Sequence, residues 1–187
     1  MRCLGIDCGT EYTGYGVVDL VVDGEGAALG SGLPNRGRSS AGQLACVECG
    51  AIKVSTREPM AVRLSRISRG LEEVIARHRP DRVAIEDVFY AVNVKSALKL
   101  GQVRGVAMLA AATAGLDVAE YSPLSIKSAV VGYGKAEKHQ VQQMVARLLS
   151  LEEIPEPADA ADALAIAICH LHTAATLEIQ GAVSRRS

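Results

Sequence analysis

The stretch "PADAADALAIAICHLH", residues 157–172, sets two carboxylates, Asp159 and Asp162, at the head of a segment that is otherwise almost wholly apolar. An α-helix turns about 100° per residue, so residues three apart lie on nearly the same face, one turn apart. Behind the pair, Leu164, Ala165, Ile168 and Leu171 recur at helical spacing, and Pro155 and Pro157 keep a helix from starting earlier. Both aspartates are therefore predicted in the first turn of a helix, pointing the same way. Capping alone accounts for acids in that position, since Asp near a helix N-terminus accepts orphan N–H groups and favours the positive end of the macrodipole, for about 1 kcal/mol. A catalytic role needs other carboxylates brought to the same place.

Two further acids stand at strand ends. In "RCLGID", residues 2–7, Leu4 and Ile6 alternate with Gly5 and Asp7; in "DRVAIED", residues 81–87, Val83 and Ile85 alternate with Ala84 and Glu86. A crossover that lays these strands side by side and parallel brings Asp7 and Glu86 to the carboxyl edge of one sheet, where α/β folds place their sites. Each acid also has a plainer reading: Asp7 braces the turn "DCGTEYTG", and Glu86 faces solvent. Four gathered carboxylates repel and raise one another's pKa, a cost that a divalent cation removes. Oxygen-rich sites suit Mg²⁺ or Mn²⁺, and two such ions about 3.5–4 Å apart can activate a water and stabilise the leaving oxygen in phosphodiester cleavage. Asp159 and Asp162 are thus expected to complete a metal site that Asp7 and Glu86 begin. Just beyond, "VFYAVN" holds the only Phe of a chain with 3% aromatics and no Trp. Phe89 reads either as a stacking platform for an unpaired base, worth about 1–3 kcal/mol, or as a plug between sheet and helix.

Positioning these groups takes a mixed sheet. Residues 2–7 and 13–22 read as a hairpin, and the Gly/Ser-rich residues 23–44 as a long connection. A third strand, about 45–55, leads to a helix whose apolar stripe is Leu64, Ile67, Leu71, Val74 and Ile75, with Arg63, Arg66, Arg69 and Arg77 mainly off it and Pro80 past its end. After the 81–87 strand come a helix over 92–114, a short strand over 116–121, helices over 123–131 and 136–150, and the helix that carries Asp159 and Asp162. The expected architecture is α/β, a five-stranded mixed sheet flanked by helices, as one domain over residues 1–175, with 176–187 a frayed tail.

Composition narrows the class. With 187 residues and 49% hydrophobic content the chain suits one domain with a sizeable core. The absence of an apolar run near 18 residues and of a signal-peptide pattern after "MRCLGIDCG" predicts a soluble, cytoplasmic protein with no membrane association. Five scattered cysteines form no disulfide framework; in "CVEC", Cys46 and Cys49 on a regular strand would face opposite sides, unable to share one zinc. The net charge of −1 hides segregation: residues 53–104 carry eleven Lys/Arg against six Asp/Glu, and 121–150 four against one, whereas 151–170 hold five acids and no Lys/Arg. Basic surface apart from an acidic cluster suits Lys/Arg facing phosphates while carboxylates hold cations.

Four segments together, "LGIDCGTEYTGYGVV", "VAIEDVFYAVNVKSALKLGQVRGVA", "SIKSAVVGYGKAEKHQVQQMV" and "PADAADALAIAICH", resemble in order and separation the RuvC family of Holliday junction endodeoxyribonucleases, within the RNase H-like superfamily. The resemblance implies that Asp7, Glu86, Asp159 and Asp162 are the catalytic acids and metal ligands, that Phe89 contacts a base, and that Lys127 and Lys138 serve DNA. It further implies a Mg²⁺-dependent homodimer, with Mn²⁺ an expected substitute, that cuts a four-way junction symmetrically in homologous recombination and repair beside the branch-migration proteins RuvA and RuvB. Two features depart from the family pattern: Cys8 stands where members often carry Pro, and the 23–44 connection is longer than usual.

Three rivals share parts of this pattern. "GIDCGTEYTG" is also similar to the phosphate hairpin of actin-like ATPases, which need a second such hairpin that this chain lacks. RNase H-like nucleases that process RNA share the opening motif, without the "SALKLGQVRGVA" helix. A junction-binding module without catalysis would not need four acids.

Overall fold

The five strand and five helix patterns of the sequence recur, with small shifts of boundary, in a computed structural model that describes residues 1–21, 42–87 and 94–184, with side chains described to residue 176. Strands β1 (Arg2–Asp7), β2 (Tyr12–Val21) and β3 (Gln43–Lys53) form an antiparallel meander, and Gln43 and Leu44 already belong to β3 rather than to the preceding connection. Helix α1 (Met60–His78) returns the chain so that β4 (Arg82–Glu86) pairs in parallel with β1 rather than with β3. Helix α2 (Val94–Thr113) and β5 (Val118–Tyr121) complete a five-stranded mixed sheet in the order β3-β2-β1-β4-β5. Helices α3 (Pro123–Val131), α4 (Lys138–Leu148) and α5 (Ala158–Ser184) follow. This is the expected α/β architecture. The remainder of the 23–44 connection and Phe89 lie outside the described residues.

Strand alternation splits the core into two layers. Leu4, Ile6, Val17, Val83 and Ile85 pack against α1 and α2 residues such as Ile67, Leu71, Val103 and Ala107. Cys3, Val18 and Ala84 face the other way, against Ile126, Val141, Leu164 and Ile168 of α3, α4 and α5. α5 lies across β1 and β2 at backbone contact, because the strands offer glycine where the helix crosses. A methyl group at Gly5 would overlap the Ala163 carbonyl, one at Gly14 the Asp159 carbonyl, and one at Gly16 would lie 2.8 Å from Leu164. The helix answers with Ala160, Ala161, Ala163 and Ala167, all fully buried. Small residues on both sides thus fix the height of α5 above the sheet.

Local signals set the helix ends near the site. Ser122 caps α3, its side chain accepting the Ser125 N–H at 3.1 Å, Pro123 opens the helix, and Gly132 closes it at φ 92°. Glu137 and Gln140 form a reciprocal capping box that starts α4 at Lys138.

Three sequence expectations change. The β2–β3 register slips between Val17 and Val18, pairing Val17 with Glu48 and Val18 with Cys46. Val47 is the extra residue of a bulge, so Cys46 and Cys49 both turn to the α5 side, while Glu48 faces α1 and meets Tyr15, Arg77 and His78. Arg63 is buried on the α1 stripe, one turn before Ile67, rather than off it. Finally, α5 continues to Ser184, into residues 176–187, which the sequence suggests as a frayed tail.

Candidate active site

The carboxyl edge of the sheet gathers the acids that the sequence singled out. Ile6 pairs with Ile85 in the parallel β1–β4 ladder, so Asp7 and Glu86 leave adjacent strand ends on the face toward α5. The Gly14–Asp159 contact seats the first turn of α5 on β2, and Asp162 follows one turn along. Asp7, Glu86 and Asp162 line one cavity of about 230 Å³ together with Lys127 of α3 and Lys138 of α4. Asp159 stands to one side, near Gly9 in the β1–β2 turn, where Thr13 donates to the Gly9 carbonyl at 3.1 Å. Pro123, Ile126, Val141, Ala165 and Ile166 form the apolar wall.

The electrostatics are those of crowded carboxylates. Burial, followed by the charges of Asp162, Glu86 and Asp159, pushes the Asp7 carboxyl up to about 7. Glu86 is also raised, by burial first and then by Asp162, with Lys127 and Lys138 opposing. Lys138 Nζ lies 2.6 Å from Asp162 Oδ2, and this contact, with the neighbouring acids, raises the ammonium above its ordinary value. Capping does not explain the aspartates: among the described residues neither carboxylate accepts a backbone N–H, and the Ala160 N–H goes to the Pro157 carbonyl at 2.9 Å.

A divalent cation fits the donor set. Four carboxylates lie at one edge of the sheet, and the Asp7 carboxyl, raised by burial and then by its acidic neighbours, is a group that a bound cation would stabilise in its charged form. No three Asp, Glu, His or Cys side chains among the described residues are already gathered into a coordination shell. The Lys138 ammonium pairs with Asp162. Cys8 follows Asp7 directly and is buried, and burial beside the acids pushes its thiol up to about 12, so it remains a neutral core group.

The sequence reading assigned no role to Arg104 on α2. Its Nε donates to the Glu86 carbonyl at 3.3 Å, and its guanidinium pairs with Glu120. The signal was only an arginine within "LGQVRGVA", indistinguishable from a solvated helix residue.

The sequence matches the family model described as crossover junction endodeoxyribonuclease RuvC over residues 3–170. The chain belongs to the RuvC family. A RuvC of Koribacter versatilis is 60% identical over 177 residues, covering 95% of this chain and 96% of the relative. The structure of T. thermophilus RuvC in complex with a Holliday junction substrate aligns with TM-score 0.78 at 32% identity, over 94% of this chain and 96% of that one. The yeast mitochondrial Holliday junction resolvase Ydc2 aligns with TM-score 0.65 at 12% identity, over 98% of this chain and 85% of that one, and shares the fold. The fold of this RuvC-family chain is accordingly RNase H-like. Among its described residues no helix is long and apolar enough to cross a membrane.

Proposed function

We propose that this RuvC-family chain resolves Holliday junctions as a homodimer, each protomer cutting one strand by metal-assisted phosphodiester hydrolysis. The observation that carries this reading is the meeting of Asp7, Glu86 and Asp162 in one cavity with Lys127 and Lys138, and of Asp159 beside it. Asp7, Glu86, Asp159 and Asp162 would hold Mg²⁺, or Mn²⁺ in its place, with Asp7 central because it is coupled to all three other acids. Ions held by these acids would supply an activated attacking water and would stabilise the departing 3′ oxygen.

The chain's own residues hold and neutralise the substrate. Lys127 and Lys138 stand on α3 and α4 at the rim of the cavity and bind the backbone flanking the scissile phosphate, damping the charge that grows in the transition state. Lys138 also pairs with Asp162, one of the acids assigned to the cation, and so competes with the cation for that oxygen. Lys138→Ala is expected to slow junction cleavage about a hundredfold while lowering the Mg²⁺ concentration for half-maximal rate. A metal titration of cleavage by the variant checks both; an unchanged rate would return Lys138 to the solvated surface. Phe89 is assigned to an unpaired base at the junction, and RuvA and RuvB are the expected partners in branch migration.

A dimer surface is carried by α2. Val94, Leu98 and Leu109 are 75, 66 and 65% exposed. Gly101 and Gly105 share their face and have open space where a side chain would stand. An apolar stripe with two glycines at its centre lets a second copy of the helix approach closely. Leu98→Asp is expected to yield a folded monomer that makes single nicks. Sedimentation and circular dichroism check this; a variant that still sediments as a dimer would move the interface elsewhere.

The hairpin glycines weigh against the nucleotide-binding alternative, since Gly5, Gly14 and Gly16 are taken up by α5. The function is tested with a mobile four-way junction, linear duplex, single strand, structured RNA and ATP, each with Mg²⁺, Mn²⁺ or EDTA. Metal-dependent cutting confined to the junction is the expected result. An intact junction with RNA cut or ATP hydrolysed would transfer the assignment to a rival.

A further inference from the structure

Arg104 lies behind the site, on the opposite face of the sheet. Alternation along β4 turns Val83 and Ile85 toward α1 and α2, and Ala84 toward α5. Glu86 continues the second set, and its carboxylate lines the cavity. Arg104 reaches the end of this strand from α2. Its Nε donates to the Glu86 carbonyl at 3.3 Å, its Nη2 pairs with Glu120 of β5, and the same nitrogen stands 3.6 Å from Asp87 Oδ1. The side chain is only 19% exposed. The Asp87 N–H donates to the Tyr121 carbonyl at 2.7 Å, closing the β4–β5 ladder at the same level. One planar guanidinium therefore ties α2 to the last residues of two parallel strands.

That contact engages the backbone of Glu86 and leaves its carboxylate free for the cavity. Two acids, Glu120 and Asp87, hold the guanidinium in turn, so its orientation is set from both sides. A strand end without such an anchor frays within its last residue or two, and a ligand carboxylate carried there loses the fixed placement that cation binding needs.

We propose that Arg104 is a positioning residue for Glu86: by gripping the Glu86 carbonyl from the α2 side it fixes the carboxylate for cation binding on the α5 side. This rests on the reading of the four acids as a divalent-cation site.

The test is Mn²⁺ binding to the protein without DNA, followed by the electron paramagnetic resonance of the free ion, in wild type, Arg104→Met, Arg104→Lys and Glu120→Gln. Thermal melts and junction binding in EDTA accompany it. Arg104→Met is expected to weaken Mn²⁺ binding about tenfold or more and to raise the Mg²⁺ requirement for cleavage in parallel, with junction binding in EDTA unchanged. Arg104→Lys is expected to restore little, because a single ammonium cannot make the three-way contact. Glu120→Gln keeps the arginine in place while loosening its anchor, so a smaller loss in the same direction is expected even if Arg104→Met fails to fold. Unchanged Mn²⁺ affinity in the folded variants, with only a lowered melting temperature, would overturn the proposal and make Arg104 a structural brace. A wild type that binds no Mn²⁺ would overturn the cation-site reading itself, and the Arg104 proposal with it.

Discussion

Asp7→Asn is expected to give a protein more heat-stable than its parent in EDTA at pH 8, and unable to cut a junction. The Asp7 carboxyl is held at about 7 in the folded protein, by burial and by three acidic neighbours, against an ordinary value of 3.8. A group whose pKa rises on folding favours the folded state only while it is protonated. Its contribution is complete below about pH 4 and is lost as the pH climbs through 7, leaving a penalty at pH 8. A shift of that size corresponds to roughly 4 kcal/mol, a sizeable part of a domain's net stability. Asparagine keeps the shape and carries no charge, so it removes the penalty together with one of the proposed cation ligands. Melts in EDTA at pH 8 should show the variant higher by several degrees, the gap closing toward pH 4; cleavage should fall a hundredfold or more. A variant less stable than wild type at pH 8 would contradict the account of Asp7. In the parent, the acid limb of the cleavage profile should lie near neutrality at low Mg²⁺ and move to lower pH as Mg²⁺ rises, because cation binding competes with the proton.

Gly14→Ala is expected to disable the site from outside it. The added methyl would overlap the Asp159 carbonyl and come within 3.1 Å of the Asp159 Cβ, so the first turn of α5 must lift from β2. Neither partner is a flexible side-chain end. Overpacking of this kind costs about 1–3 kcal/mol, and the displaced turn carries both Asp159 and Asp162. The variant should fold with a lowered melting temperature, lose most of its Mn²⁺ affinity and cleave poorly. Wild-type cation affinity in Gly14→Ala would mean that the seat of α5 on β2 does not set the site.

The four acids were legible because two periodicities decide where they point. Helical spacing aligns Asp159 with Asp162, and strand parity turns Asp7 and Glu86 away from Leu4, Ile6, Val83 and Ile85. What brings them together was less visible, since the Gly5, Gly14 and Gly16 contacts with α5 join segments about 150 residues apart and glycine carries no periodic signal. The bulge at Val47 was hidden for a similar reason: one extra residue reverses the facing of everything beyond it, and Cys46 and Cys49 come to share a side. Arg63 sits at helical spacing from Ile67 and Leu71, on a stripe that hydrophobicity alone ends too early. At the other end of the chain, "TLEIQGAVS" contains no proline, and α5 runs on to Ser184. Arg104 could not be found from sequence, because its role comes from a carbonyl and two acids on neighbouring strand ends.

The central claim is a pair of identical carboxylate centres that cut opposite strands of one junction. A supercoiled plasmid with an extruded cruciform measures this directly, since two cuts within one encounter give linear DNA and a single cut gives a nicked circle. The account predicts Mg²⁺-dependent linear product from wild type, its cuts symmetric about the cruciform, and none from Asp7→Asn. Cutting that persists in Asp7→Asn, or that is equal on a plasmid without the cruciform, would contradict it.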